Sequence, residues 1–153
     1  MKFKLIDKSS YEDVAPKSYE LTLSHTEKRP DLFGEPALMT KKAFKNRIKV
    51  KGFVGIAAYE NDALVGYCFC RINSFRSKES PESKRLWIDE FFICEEYRRQ
   101  GYGTELFEEI KRTAKAHGCF VVEFNVWQMN ETAQKFYDSL GCKNQRIIKE
   151  ITL

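Results

Sequence analysis

The chain has only two histidines, His25 and His117, and no Cys-x-x-Cys pair, so it offers no convincing zinc constellation. No apolar run approaches the roughly 18 residues that a membrane-spanning helix needs, and no membrane span is expected. Long basic runs are absent too. Lysine and arginine are scattered, with small clusters at Lys41-Lys42, Lys84-Arg85 and Arg98-Arg99, which argues against a nucleic-acid partner. The Gly-x-x-x-x-Gly-Lys-Ser/Thr loop is missing, which excludes a P-loop nucleotide site. No Gly-x-Gly-x-x-Gly lies near the N-terminus, which sets aside a dinucleotide-binding Rossmann site. The first residues, Met1 to Asp7, lack a signal-peptide apolar region. With five cysteines, an odd number, this predicts reduced thiols in the cytoplasm.

What is present fits one globular domain over 1–153. The 153 residues, 42% hydrophobic and 31% charged, are enough to bury a core without disulfides. A net charge of +4 suits a polyanionic ligand without identifying one. Residues 2–7 alternate as a strand. Residues 10–28 carry an imperfect helical pattern, with Pro16 in a first turn or interrupting it. Residues 40–50 have Ala43, Phe44 and Ile48 at helical spacing, behind Thr40 as N-cap. Strands are predicted at 53–59, 64–72 and 86–93, with Glu60-Asn61-Asp62 as a turn and polar residues 73–84 as a long hairpin loop. A helix over 104–117, a strand over 120–126, a helix from Asn130 to Gly141 and a last strand over 145–153 complete a mixed α/β order. Cys68 and Cys70 share a strand face, an arrangement more typical of a core than of a metal site.

Between strand 86–93 and helix 104–117 lies Tyr97-Arg98-Arg99-Gln100-Gly101-Tyr102-Gly103. A strand, a basic glycine-containing turn and a helix together make an anion cradle. The first amides of a helix lack intrahelical partners, and the macrodipole adds positive charge there. Glycine lets a phosphate approach the backbone. An ordinary strand-to-helix turn would look similar.

A second segment, residues 121–142, contains Asn130, Ala133, Phe136, Tyr137 and Gly141 in an Asn-x-x-Ala-x-x-Phe-Tyr-x-x-x-Gly pattern. With both motifs in order and about one helix plus one strand apart, the chain resembles the GCN5-related N-acetyltransferase (GNAT) superfamily. The resemblance is specific over roughly residues 84–152. It implies a GNAT fold: a mixed central sheet of about six or seven strands flanked by helices. Strands 86–93 and 120–126 would splay apart to admit acetyl-CoA, with no metal required. By the same resemblance, Arg98, Arg99, Gln100, Gly101, Tyr102, Gly103 and Thr104 would hold the pyrophosphate. The backbone of Phe91, Phe92 and Ile93 would meet the pantetheine arm and the thioester oxygen. Asn130, Ala133, Phe136 and Tyr137 would complete the cofactor site. Asn130 is equally a helix cap. Glu95 stands where the family often has proline, and Arg99 and Gln100 stand where it often has glycine and lysine. None of these departures removes a backbone donor.

Acetyl transfer to an amine needs a base for the amine, a stabilised oxyanion and an acid for the thiolate. Tyr137 is the candidate acid, since a phenol keeps its proton at neutral pH; a packed aromatic is the plain alternative. Asp89 and Glu90 are the candidate bases in a strongly apolar strand. Alternation sends them to opposite faces, Asp89 with Trp87 and Phe91, Glu90 with Ile88 and Phe92. Both could instead be structural. The resemblance implies direct transfer from acetyl-CoA to a small-molecule amine such as a polyamine, an aminoglycoside or an amino-acid derivative. Members of this superfamily are often dimers through late strands, so the resemblance allows a homodimer here, while the sequence itself leaves the oligomeric state open. A protein N-terminal or lysine acetyltransferase and a non-catalytic acyl-CoA sensor are the competing readings.

Overall fold

The computed structural model describes residues 1–77 and 80–151, and only the backbone of 75–77 and 80–82. Strand β1 (Lys2–Leu5) leads into a 3₁₀ turn at Lys8–Ser10 and helix α1 (Tyr11–Lys28). Asp7 caps this entry, accepting from Ser9 N at 2.7 Å. Pro16 lies inside α1 without ending it. It removes one N–H, and the burial of Val14, Ala15 and Ser18 around it holds the helix in place. Helix α2 (Lys41–Ile48) starts where the sequence predicts, with Thr40 Oγ1 accepting from Ala43 N at 3.1 Å.

Strands β2 (Phe53–Glu60), β3 (Ala63–Ser77) and β4 (Ser80–Ile93) form an antiparallel meander. The β2–β3 turn puts Asn61 and Asp62 at φ 48° and 64°, the left-handed pair that a tight hairpin requires. Helix α3 (Tyr102–Ala116) crosses over to β5 (Cys119–Phe124), which lies parallel to β4. Helix α4 (Glu131–Ser139) follows. The sheet runs in the order β1-β2-β3-β4-β5. Among the described residues no helix is long and apolar enough to cross a membrane.

Two apolar layers cover the sheet. On the face toward α3 and α4, Cys68, Cys70, Leu86 and Ile88 pack with Leu106, Phe107, Ile110 and Tyr137. On the face toward α1 and α2, Tyr67, Phe69 and Phe92 pack with Val14, Ala15 and Phe44. Gly66 keeps β3 and β4 close: a Cβ there would stand 2.5 Å from the Phe92 carbonyl oxygen.

Three expectations need correction. Residues 73–77 and 80–84 are not a loop; they extend the β3–β4 ribbon, pairing Asn73 with Arg85 and Ser74 with Lys84. Residues 78 and 79 lie outside the described residues. The sheet has five strands because residues 145–151 join no ladder, and residues 152 and 153 are outside the description. Adjacent Ile147 and Ile148 break the alternation a half-buried strand needs, and both are 79% exposed. Among the described residues, side chains tie this segment down, through Gln145 to Glu123 at 2.9 Å and Arg29 to Glu150 at 2.9 Å.

The third correction concerns the two carboxylates. Phe69 pairs with Glu90, yet Cys70 pairs with Ile88, so Asp89 is an extra residue at a β-bulge. The bulge resets the alternation. Leu86 and Ile88 face α3 and α4, and so do Phe91 and Phe91's neighbour on that face, Ile93. Asp89 meets Arg71 while Glu90 meets Ser18 and Arg47, which puts both acids on the α1/α2 face.

Candidate active site

Strands β4 and β5 pair from Lys84↔Cys119 as far as Ile88↔Phe124 and no further. Beyond that point β4 runs on through Asp89–Ile93 without a partner on that side among the described residues. The pairing stops between the two strands that the family resemblance expects to part. Cys94 donates its N–H to Val65 O on β3 at 2.9 Å, and the Phe92 carbonyl lies against Gly66 of the same strand. By alternation, Phe91 and Ile93 aim their backbone groups into the gap, while Phe92 is committed to β3.

The turn before α3 builds the far wall. Arg98 Nε donates to Ile93 O at 3.0 Å, locking the turn onto the end of β4. Gln100 Nε2 donates to Glu96 O at 2.8 Å. Arg99 sits at φ 60° and Gly101 at φ 89°. No side chain caps α3, so the amides of its first turn, from Tyr102 through Thr104, stay open. Around Gly101 a Cβ would meet nothing within 4 Å, leaving room for an anion. Gly103 also lies close against α4. Its missing Cβ would lie 3.3 Å from the Phe136 ring, so it sets the close packing of α3 on α4. Tyr102 stands edge-on to Tyr97 at 5.7 Å.

A Gly101→Val substitution tests this wall. A side chain at φ 89° is strained by about 1–2 kcal/mol, and it would fill the open space. The expected result is a folded protein whose acetyl-CoA dissociation constant, by calorimetry, rises at least about tenfold. Unchanged affinity would remove this turn from the cofactor site.

Helix α4 carries the second motif to the same gap. Asn130 Oδ1 accepts from Ala133 N at 3.2 Å and so caps the helix. Phe136 stacks on Phe91 at 5.7 Å. The Tyr137 ring packs 4.2 Å from Phe124, the last paired residue of β5. The residue is 9% exposed, yet its hydroxyl is not sealed off and has no hydrogen-bond partner among the described residues. Burial, and more weakly the neighbouring Cys142, Cys68 and Cys70, push its pKa up. The phenol keeps its proton and has it unspent.

On the α1/α2 face the carboxylates are held tightly. Glu90 Oε1 accepts from Arg47 Nη1 at 2.5 Å. Glu90 Oε2 accepts from Tyr67 OH at 2.6 Å and Ser18 Oγ at 2.9 Å. Asp89 takes a two-pronged bond from Arg71, at 2.7 Å from Nε and 2.6 Å from Nη2. The Arg47 guanidinium lies over the Phe69 ring at 4.2 Å. None of Ser18, Arg47, Tyr67 or Arg71 is singled out by the sequence motifs. One signal existed: Ser18 follows Val14 by four residues, so a polar group sits on the buried face of α1. Further along that helix, His25 stacks on Phe33 at 5.3 Å, and Phe33 meets Trp127, just past β5, at 5.3 Å. Burial and the charge of Lys28 lower the His25 pKa against the opposing pull of Glu90, so this ring is neutral at pH 7.

The buried phenols set an alkaline limit. Burial, then the bond and charge of Asp13, push Tyr59 up to about 12. Burial, then the Glu90 charge, raise Tyr67. The folded chain therefore holds these protons where an unfolded phenol, at about 10, releases them. With more protons bound in the folded state, stability falls as pH rises through that window. The urea midpoint is expected to drop from about pH 10 upward, and Tyr59→Phe to flatten the drop.

A family model for the acetyltransferase (GNAT) family matches residues 19–142, and the chain belongs to that family. It is 36% identical over 85 residues to the probable N-acetyltransferase san of Drosophila melanogaster, covering 55% of this chain and 44% of that protein. It is 29% identical over 84 residues to spermine/spermidine N(1)-acetyltransferase of Bacillus subtilis, covering 54% of each. The aligned stretch spans about half the length of the curated relatives it matches. Among solved structures, a mutant of the BH1408 protein of Bacillus halodurans has the same fold, with a TM-score of 0.91 and 24% identity over 100% of this chain and 99% of that one. The aminoglycoside N-acetyltransferase AAC(6')-Iy in complex with CoA shares it too, with a TM-score of 0.68 and 14% identity over 99% of each chain.

Proposed function

We propose that this protein is an acetyl-CoA-dependent N-acetyltransferase acting on the primary amine of a small molecule. One observation carries the reading. The gap past Ile88 and Phe124 has an uncapped helix N-terminus on one side and an unspent phenol, Tyr137, on the other. The open space at Gly101 fits a pyrophosphate. Relatives whose names specify spermine or an aminoglycoside as acceptor favour a small amine.

Bound acetyl-CoA supplies an activated acyl group on a thiol leaving group. The uncapped amides of Tyr102, Gly103 and Thr104 would hold its pyrophosphate, with Arg99 and Gln100 alongside and Arg98 bracing the turn through Ile93 O. The Phe91 and Ile93 backbone groups, turned away from β3, would align its arm, and the Ile93 N–H would be the donor offered to the acyl oxygen. Asn130, Ala133 and Phe136 shape the wall beside the arm. Tyr137 OH, which keeps its proton, would supply it to the thiolate leaving group. Asp89 receives the amine's proton through water, and Glu90, fixed by its three donors, orients the approach.

The test is thiol release from acetyl-CoA with spermidine, an aminoglycoside, free amino acids and a short peptide. Turnover of a small amine above the peptide supports the reading. Turnover of the peptide alone moves it to the protein acetyltransferases. Tight acetyl-CoA binding with no turnover at all favours a sensing role.

A further inference from the structure

We infer that the acceptor is an amino-acid-like zwitterion, with its carboxylate taken by the free guanidinium donors of Arg47 and Arg71 and its amine turned to Asp89 and Glu90. The inference rests on the acetyltransferase reading above and concerns the same site.

The bulge at Asp89 gathers four charges on one face of the sheet, at the point where β5 leaves β4. Two are anions and two are cations, each anion bonded to its own arginine. A patch of this kind has no net charge. A polyamine needs the reverse, an uncompensated acidic surface. Here an ammonium drawn to Asp89 meets Arg71 at nearly the same range, and the attraction and repulsion largely cancel. A zwitterion uses both signs at once.

The donors for its carboxylate exist. Arg71 gives Nε and Nη2 to Asp89, which leaves Nη1 without a partner among the described residues, on a side chain 45% exposed. Arg47 gives only Nη1 to Glu90, and its Nε and Nη2 are likewise unpartnered there. Planar guanidinium groups match a carboxylate's two oxygens. Two turns along α1 from Ser18, which touches Glu90, the His25–Phe33–Trp127 stack begins. Trp127 is 40% exposed. This wall gives an apolar or aromatic side chain a surface to lie on.

Matched pairs that differ only by the carboxylate decide the matter: phenylalanine against phenethylamine, and lysine against cadaverine, each with acetyl-CoA and thiol detection. The amino acids are expected to exceed their decarboxylated partners in kcat/KM by roughly tenfold to a hundredfold, the worth of one or two charge-assisted hydrogen bonds. Arg71→Gln is expected to erase that ratio or invert it toward the amines, by raising KM for the amino acid, with the acetyl-CoA dissociation constant unchanged. Equal or better turnover of the decarboxylated amines overturns this inference alone, and so does an Arg71→Gln loss equal for both members of a pair. Bound acetyl-CoA with no turnover of any amine overturns the acetyltransferase reading, and this one with it.

Discussion

Replacing Tyr137 with phenylalanine is expected to lower kcat by about 10²–10³-fold, in the range that a positioned proton donor contributes, while acetyl-CoA affinity and thermal midpoint stay near wild type. The packing argument is direct. Phe124, Phe107 and Phe91 surround the ring at 4.2, 5.9 and 6.2 Å, and a phenylalanine ring keeps all three contacts. The hydroxyl bonds to no described residue, so its removal breaks no internal hydrogen bond. What disappears is the proton. Because burial raises the Tyr137 pKa, the wild-type rate should hold past the ordinary phenol value of about 10 wherever the fold survives. Stopped turnover with intact binding, read by calorimetry and thiol release, supports the role. An unchanged kcat would reduce Tyr137 to a packing residue.

The parts of this site that could be read from sequence are those fixed by local chemistry. A glycine must stand at φ 89° before α3, an asparagine caps α4, and a threonine caps α2; each depends on a few neighbouring residues. The apolar faces of α3 and α4 follow the helical period, which is why Leu106, Phe107, Ile110 and Tyr137 lie in the core as their spacing predicts. Register is different. Nothing in Leu86–Ile93 announces that Asp89 is an extra residue, so alternation alone puts Asp89 and Glu90 on opposite faces. The partners of Glu90 come from 72, 43 and 23 residues away, and no spacing rule reaches so far. The C-terminal isoleucines show the opposite failure. Residues 145–151 are rich in strand formers, yet a strand also needs a backbone to pair with, and these residues have none.

The Glu90 cluster is where a single substitution should cost most stability. Glu90 is 16% exposed and carries its charge beside Tyr67, which is wholly buried. With Arg47→Met, the carboxylate keeps two neutral donors and loses its one cationic partner among the described residues. A fully buried pair broken this way loses 3–5 kcal/mol; the partial exposure of both partners brings the expected loss to about 2–3 kcal/mol. For a chain of this size that is a midpoint shift of roughly 5–10 °C. Adding Glu90→Gln should recover much of it. The amide oxygen still accepts from Tyr67 and Ser18, and no unpaired charge remains. If the double variant is as unstable as Arg47→Met alone, the arginine matters through its stacking on Phe69 rather than through its charge. Activity should separate from stability in this cycle. The double variant refolds the face but lacks both the carboxylate that orients the amine and the guanidinium beside it, so its KM for the acceptor is expected to stay high after the fold has returned.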